Sequence, residues 1–569
     1  MVIRRARRGA VRVLTALGLK EPVKGGINRV LRAGGLPLVG RQRIFWDIER
    51  LLATPRPRPA VARGRLLFFS MRGWTSHLAL ETLLGEAAAQ RGYEPFYFTC
   101  GGPLAACGIT TFRAADPTPC DGCHNYTSLY FELLGFPRRI VRDLVSEAER
   151  AEARATVAGL ADGEIDGFES DGLPLGQMIR TSSLWFLLRG SPPAEPLWSR
   201  TRRGFLEAGL QLHRAMPRLL DWAQPDRVLC LNGLFFAERI LAAHTAARGI
   251  PLTSYERAFR PDTWLFRHDG AAAEFFLRPE YLAGGDRPLV PAEEDELDAY
   301  LADREAGRKD NAAYWPTLEE REESVCRELS LDPGRPVVTV FTNITWDSAL
   351  QGRDAAFPDM LAWLEDTVRF FAARDDAQLV LRVHPAEQRL AGLETAEPVL
   401  AALAERMGPL PPRVRVVPAL SPLSSYTLGR MSRFVMTYTS TLGLEMSLRG
   451  VPAVVAAETH YRGLGFTIDV TRRDDYSELL ARLLAGPVPP PDTDAARRYA
   501  HYFFFRIQVP VPQLRTDPGE DPRLTVSSFA ALGPGQSSEL DCILDGLIER
   551  RPIRLDRTER PAAGYNRTA

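Results

Sequence analysis

The sequence predicts an α/β protein built as two parallel-sheet domains, and three observations carry that prediction. At 569 residues the chain is too long for one hydrophobic core. Early on, an apolar run at residues 66–70 (LLFFS) leads through a polar loop into an amphipathic helix closed by Gly92, then into a second apolar run at 95–99. Late in the chain the same order recurs: residues 434–438, a hydroxyl turn at Thr439, Ser440 and Thr441, a helix ending before Gly450, and a strand at 452–457. Strand, loop, helix, strand is a βαβ unit, and its first loop opens at the carboxyl end of the sheet, where open α/β folds bind ligands.

Composition narrows the class. Hydrophobic residues make up 45% and charged residues 25%, as in globular chains, and no apolar run approaches the roughly 18 residues of a spanning helix. The net charge of +0 hides an asymmetry: residues 1–32 carry Arg4, Arg5, Arg7, Arg8, Arg12, Lys20, Lys24, Arg29 and Arg32 against Glu21 alone. This arm lacks the apolar core and cleavage site of a secretory signal. Each cation near an anionic bilayer contributes about 1 kcal/mol, so the arm is expected either to dock peripherally on the inner face of the cell membrane or to be a plain basic tail. Nucleic acid is not an expected partner, because the basic excess stops at the arm and no recognition motif comes after it. Seven cysteines, four of them clustered, do not form a disulfide framework in a chain this long and point to a reducing cytoplasm.

Taken in order, residues 1–60 are read as arm and linker, and 61–280 as the first domain. The loop after its first strand carries His77, either a helix-start packing residue or a substrate contact. Cys100, Cys107, Cys120 and Cys123 come next, in the pattern C-x6-C-x12-C-x2-C. Four thiolates suit tetrahedral coordination, so a structural zinc is expected there, adding roughly 10 kcal/mol to folding. An iron–sulfur cluster, a redox pair and unlinked thiols are the alternatives. A strand at 227–231 ends in Asn232 and Gly233, and a short strand at 253–255 ends at Glu256, flanked by Arg257 and Arg260. A carboxylate there is either a structural ion pair or a catalytic group aimed into a cleft. Residues 281–335, acidic and helical, read as the interdomain connection, 336–485 as the second domain, and 486–569 as a proline-rich, then aromatic, then irregular tail. The acidic triplet at Asp492 and Asp494 lies in a proline-rich linker and is discounted as a metal site.

In the second domain four strand ends present polar groups: Asn343, Trp346 and Asp347; His384, Pro385 and Glu387; Ser421 and Ser425; and Thr439, Ser440 and Thr441. Parallel strands put these on one edge, so they should line one crevice. Helix-start amides and hydroxyls there suit a phosphate. His384 would meet that phosphate as a donor, or as a cation if the anion raises its pKa. Arg382, two residues earlier on the same strand face, would pair with a carboxylate or phosphate. Ser440 would cap the helix in the ligand's absence, and Glu445 would accept from ribose hydroxyls. Each also has a structural reading as a cap or a dipole partner.

The block VLRVHPAE, then TYTSTLGLEMSLRGVPAVV and HYRGLGFTID, resembles the bacterial capsule polysaccharide synthesis transferases, including the capsule Kdo transferases. The resemblance falls on His384 and Pro385, on Ser440, Thr441, Gly443, Glu445 and Gly450, and on Tyr461, Gly463, Gly465 and Thr467, with Met446 where that family usually has Ala. YERAFRPDTW is similar to the family's acidic segment through Glu256, Arg260, Pro261, Asp262 and Trp264, with Ala258 in place of Gly and one residue fewer before Arg-Pro. The resemblance implies a GT-B architecture, two Rossmann-like domains facing across a cleft, with a tail that packs back onto the first. It implies a glycosyltransferase with a nucleotide-sugar donor and a polysaccharide or glycolipid acceptor. Glu256 would be the catalytic carboxylate, His384 and the hydroxyl turn would hold the donor, and no catalytic metal would be required. A nucleotide-sugar epimerase, a glycerophosphate transferase or a non-catalytic nucleotide-binding scaffold are the alternatives on this fold.

Overall fold

The structure, a computed structural model, describes residues 43–114, 120–306, 318–390, 392–516 and 521–555. The basic arm therefore lies outside the described residues. The segment from Arg43 to the first strand is more than a linker. Helix α1 (Arg43–Leu52) buries Ile44, Phe45, Ile48 and Leu51 against the first domain, a stripe with helical spacing, so the reading of residues 1–60 as arm and linker is corrected from Arg43 onward.

The first sheet is formed by β1 (Gly64–Phe69), β2 (Tyr93–Thr99), β3 (Arg138–Ile140), β4 (Arg227–Leu231), β5 (Leu252–Arg257) and β6 (Thr263–His268). Its parallel strands run in the order β3-β2-β1-β4-β5, and β6 returns antiparallel beside β5. Leu66 and Phe68 join a core on one face with α2 (Thr75–Ala89), while Leu67 and Phe69 join a core on the other. The second core also takes in α4 (Leu197–Ala223) and α5 (Phe236–Ala247), α3 being Cys120–Leu134 in the intervening region. Alternate residues thus bury on both faces, which is why these strands read as unbroken apolar runs.

The acidic connection is helical as expected, with α6 spanning Pro291–Glu305. The second sheet is formed by β7 (Val337–Phe341), β8 (Gln378–Arg382), β9 (Val414–Val417), β10 (Ser432–Thr437), β11 (Ala453–Val455) and β12 (Ile468–Asp469). All pairings are parallel, in the order β12-β11-β10-β7-β8-β9, the full doubly wound Rossmann order. Helix α7 (Met360–Ala372), capped by Asp359 through the Ala362 amide at 2.7 Å, covers one face, and α8 (Leu442–Ser447) comes after β10.

Beyond residue 486 the chain is ordered where described, which corrects the irregular tail. Asp492 caps α9 (Thr493–His501), the aromatic run Tyr502–Arg506 continues as a π-helical turn, and β13 (Val509–Pro510) pairs antiparallel with β6. Helix α10 (Ser538–Glu549) then packs Leu540, Ile543, Leu544 and Leu547 into the core beside α2. The aromatic turn ties the domains together: Tyr502, Phe503, Phe504 and Phe505 share one core with Ala258 and Leu265 of the first domain and Leu444, Tyr461 and Phe466 of the second. Among the described residues no helix is long and apolar enough to cross a membrane.

Candidate functional site

Strand order places the site. In the second sheet β7 and β10 are neighbours whose connections leave in opposite directions, so a crevice opens beyond their carboxyl ends. In the first sheet the equivalent point lies between β1 and β4.

At the second-sheet crevice, the hydroxyl turn after β10 is held from three sides. The Thr439 amide donates to Asn343 Oδ1 at 3.2 Å, the Leu442 amide donates to Ser440 Oγ at 3.3 Å, and the Tyr461 hydroxyl donates to the Ser440 carbonyl. Gly443 lets the helix approach that tyrosine: a Cβ there would stand 2.3 Å from Tyr461 Oη. Helix α8 has only six residues and no side-chain cap at Thr441, so it ends earlier than its sequence pattern predicts. Thr439, Ser440 and Thr441 are half-buried and come directly after the carboxyl end of β10.

His384, after β8, is tied to the same edge by its amide, which donates to Thr342 Oγ1 at 3.1 Å. Its Nδ1 accepts the Ala386 amide at 3.1 Å, so in the neutral ring the proton sits on Nε2. Burial, and then the charge of Arg382, lower its pKa to about 4. His384 is thus a neutral donor at neutral pH, and the cationic form requires an anion beside it. Arg382 is corrected: only 2% exposed, it donates to the Pro418 carbonyl at 2.7 Å, the Ser421 carbonyl at 3.2 Å and Ser425 Oγ at 3.4 Å. It clamps the loop after β9 rather than presenting itself to a ligand, and burial lowers its pKa to about 10.

The opposing wall comes from the first sheet. Glu256 ends β5 half-buried, accepting from Asn232 Nδ2 at 2.6 Å and from the Arg257 amide at 2.8 Å. Asn232 is itself fixed after β4 in a left-handed conformation (φ 61), with Oδ1 accepting the Leu234 amide at 2.9 Å. Burial raises the Glu256 pKa, opposed by these hydrogen bonds and by the Arg72 charge, and Asp347 raises it further. Asp347 belongs to the second domain, where it accepts the Ala349 amide at 2.9 Å and is likewise raised by burial. A carboxyl group of the second domain therefore lies near enough to Glu256 to disfavour its ionisation.

The domains are clasped beside this point. Glu397 accepts the amides of Gly190 and Ser191 at 2.9 Å each and pairs with Arg189 at 3.1 Å. The Ala396 amide donates to the Leu188 carbonyl at 2.9 Å, and a Cβ on Gly190 would lie 2.6 Å from the Thr345 carbonyl.

Several predicted site residues turn out to be built into the protein. Glu445 is 1% exposed, pairs with Arg304 of α6 at 3.1 Å and accepts from the Tyr426 hydroxyl, so its oxygens are not offered to a ribose. Tyr461, fully buried, supports the turn instead of lining the crevice. Arg260 donates to the Phe504 carbonyl at 3.0 Å and stacks over Phe505, anchoring the aromatic turn. His77 packs among Trp74, Tyr255 and Trp264, and burial lowers its pKa to about 3. Trp346 donates to Thr395 Oγ1 at 2.9 Å and meets Trp185 edge-on across the cleft. Gly463 and Gly465 have φ of +72 and +90, and the Gly463 amide donates to Asp469, so they shape the segment after Tyr461. Thr467 Oγ1 also bonds Asp469, at 2.8 Å. The expected zinc site is not formed: among the described residues no three His, Cys, Asp or Glu side chains converge on a point that would hold one ion.

Sequence reasoning passed over Asn232, Arg72 and Glu397 as site residues. Asn-Gly at a strand end was a readable sign for the first. Arg72 pairs with Glu238, its Nη2 lying 2.9 Å from Oε2, and Glu397 acts through a partner far away in the chain; neither has a local signature.

No family model and no curated protein matches this chain. Among solved structures it is similar to the Thermosulfurimonas dismutans KpsC, beta Kdo 2,4 transferase, at 14% identity and TM-score 0.32, covering 56% of this chain and 86% of that one. It is similar to CalG4, the calicheamicin glycosyltransferase, at 16% identity and TM-score 0.24, covering 77% and 94%. A UDP-N-acetylglucosamine 2-epimerase aligns at 12% identity and TM-score 0.24, covering 88% and 98%. Values this low leave the reading of the site to this chain's own sheet order and side chains. The fold is GT-B-like: two Rossmann-like sheets facing across a cleft.

Proposed function

We propose that the protein is a glycosyltransferase of the capsule polysaccharide type, moving a sugar from a nucleotide donor to a surface-polysaccharide or glycolipid acceptor. The observation that supports this most is the pairing of two edges: a switch-point crevice bearing His384 and a hydroxyl turn, opposite Glu256 at the end of β5, held there by Asn232 after the neighbouring β4.

In this reading the donor diphosphate or monophosphate lies against Thr439–Thr441 and accepts from His384 Nε2–H. The acceptor hydroxyl is directed to Glu256, which takes its proton as the oxygen attacks the anomeric carbon. The bond from that carbon to the phosphate oxygen breaks, and the departing nucleotide carries the bonding pair. His384 and the turn's donors meet that charge in a site shielded from water, so the reaction needs no divalent ion. Asn232 holds Glu256 in position. Burial of Glu256 makes it a better base than an exposed carboxylate, since its pKa lies closer to neutral. The basic arm would bring the enzyme to the inner face of an anionic membrane, where such acceptors are assembled.

The test is acceptor-dependent release of nucleotide from nucleotide sugars by the purified protein. Glu256→Gln should lower kcat by about 10²–10⁴-fold with little change in donor affinity. Donor isomerised without acceptor would identify an epimerase, and unchanged turnover in Glu256→Gln would remove Glu256 from the chemistry.

A further inference from the structure

An arginine at the edge of the second sheet is left without a partner. Arg353 lies half-buried in the loop after β7, at the carboxyl ends of the strands. That loop is fixed from two sides. The Glu458 amide, beyond β11, donates to the Arg353 carbonyl at 2.8 Å, and the Tyr438 hydroxyl, directly after β10, donates to Asp354 Oδ1 at 2.5 Å. Arg353 is thereby held on the edge that carries the hydroxyl turn, since Tyr438 immediately precedes Thr439. Its guanidinium is not spent on the fold: Nη2 is buried with no hydrogen-bond partner among the described residues.

The surroundings do not neutralise it. The first domain approaches here: its turn Ala272–Glu274 packs against Ser348–Leu350, in the same loop as Arg353, and the Phe275 ring lies 6.4 Å from that of His460. The two nearby carboxylates are engaged elsewhere. Glu274 Oε2 accepts from Arg267 Nη1 at 2.6 Å, and Glu458 pairs with Arg462 at 3.4 Å. Burial disfavours the Arg353 charge, Glu274 and Glu458 favour it, and Arg267 opposes it. Three guanidinium groups thus share two carboxylates, and arginine stays charged at neutral pH. His460, 8% exposed, offers no compensation. The Tyr499 hydroxyl gives its proton to the His460 carbonyl at 2.7 Å, so His460 Nδ1–H donates to Tyr499 Oη at 2.8 Å and the ring is neutral.

We propose that Arg353 is the cation of a phosphate subsite, occupied by the phosphates of the nucleotide-sugar donor. A buried guanidinium N–H without an acceptor is costly, and an anionic oxygen both accepts from it and balances the excess charge. The donor presents such oxygens if its phosphates lie against Thr439–Thr441, so this assignment rests on the donor reading above. It adds a fixed positive charge to that site. Arg382 is consumed by the loop after β9 and His384 is neutral, whereas Arg353 meets the charge of the departing phosphate with a charge of its own.

The test is isothermal titration of the full chain, without divalent metal, with inorganic pyrophosphate, uridine and guanosine diphosphates, and cytidine monophosphate. The wild type should bind pyrophosphate and at least one nucleotide. Arg353→Gln should weaken both by at least tenfold, and Arg353→Lys, which keeps the charge but not the planar fork, should recover part of the loss. The ligand-free thermal midpoint of Arg353→Gln should stay level or rise, because no bond of the fold is lost; an arginine serving the fold would lower it. Nucleotide binding at full affinity in Arg353→Gln, or an affinity loss accompanied by a lower ligand-free midpoint, would overturn the subsite and leave the donor reading standing. Pyrophosphate binding that depends on Arg353, with no nucleotide bound, would support the subsite and remove the donor reading. No binding of either ligand by the wild type would overturn both.

Discussion

At the scale of residues, the distinction that matters is between groups presented to the cleft and groups consumed by the fold. Glu445 illustrates the second. Its carboxylate and the Arg304 guanidinium are 2% and 8% exposed, and removing one partner of such a pair typically costs about 3–5 kcal/mol. Glu445→Gln should therefore lower the urea unfolding free energy by several kcal/mol at unchanged m-value. A variant that kept its stability but lost nucleotide affinity would return Glu445 to the ligand. Glu256 illustrates the first. Its raised pKa and its proposed role as base place the acid limb of kcat/KM above the ordinary carboxylate value of 4.5: activity should fall as pH drops through the raised pKa and the base is protonated. An acid limb at or below 4.5 would argue against it.

Among the elements, the short turn and helix after β10 carry the proposed donor site, and they are closely packed. Gly443→Ala would drive a Cβ into Tyr461 Oη and should cost about 1–3 kcal/mol, read as a lower urea midpoint together with weaker nucleotide binding. A variant unchanged in both would show that the contact relaxes freely. Much of this unit was legible in the sequence, because apolar runs ending in Asn343, His384 and Thr439 are local patterns, and the sheet order sets them on one edge. The uses of Arg382, Glu445 and Tyr461 were not. Each depends on a partner brought in by tertiary packing: the loop carbonyls after β9, Arg304 on α6, and the Ser440 carbonyl. The same limit explains α1 and the tail, whose apolar residues gain partners only through tertiary packing, α1 against α3 and residues 523–524, and α10 against α2.

For the whole molecule, the shared aromatic core and the Glu397 clasp join two sheets that could otherwise move apart. Its pH dependence comes from buried histidines. His77, His244, His384 and His460 have folded pKa values of about 3 to 4 against 6.5 when unfolded. The unfolded chain therefore binds more protons between these values, and stability falls as pH drops from 6.5 toward 4. Glu81, raised to about 7 by burial, acts the other way, losing stability as pH rises from 4.5 through 7. The histidines predict a thermal midpoint that declines on acidification from 6.5 toward 4, with Glu81, Glu256 and Asp347, all raised by burial, opposing them, and a flat or rising profile would contradict this. Deleting residues 1–32 should weaken binding to anionic vesicles, since each basic residue contributes about 1 kcal/mol; equal binding would remove the arm from membrane attachment.

The central claim, that a nucleotide occupies the switch point of the second sheet, is tested most directly by isothermal titration with cytidine, uridine and guanosine nucleotides. Binding of at least one is expected in the wild type and in Glu256→Gln, with loss of at least tenfold in affinity in His384→Ala. No binding by any nucleotide, or full affinity in His384→Ala, would contradict the account.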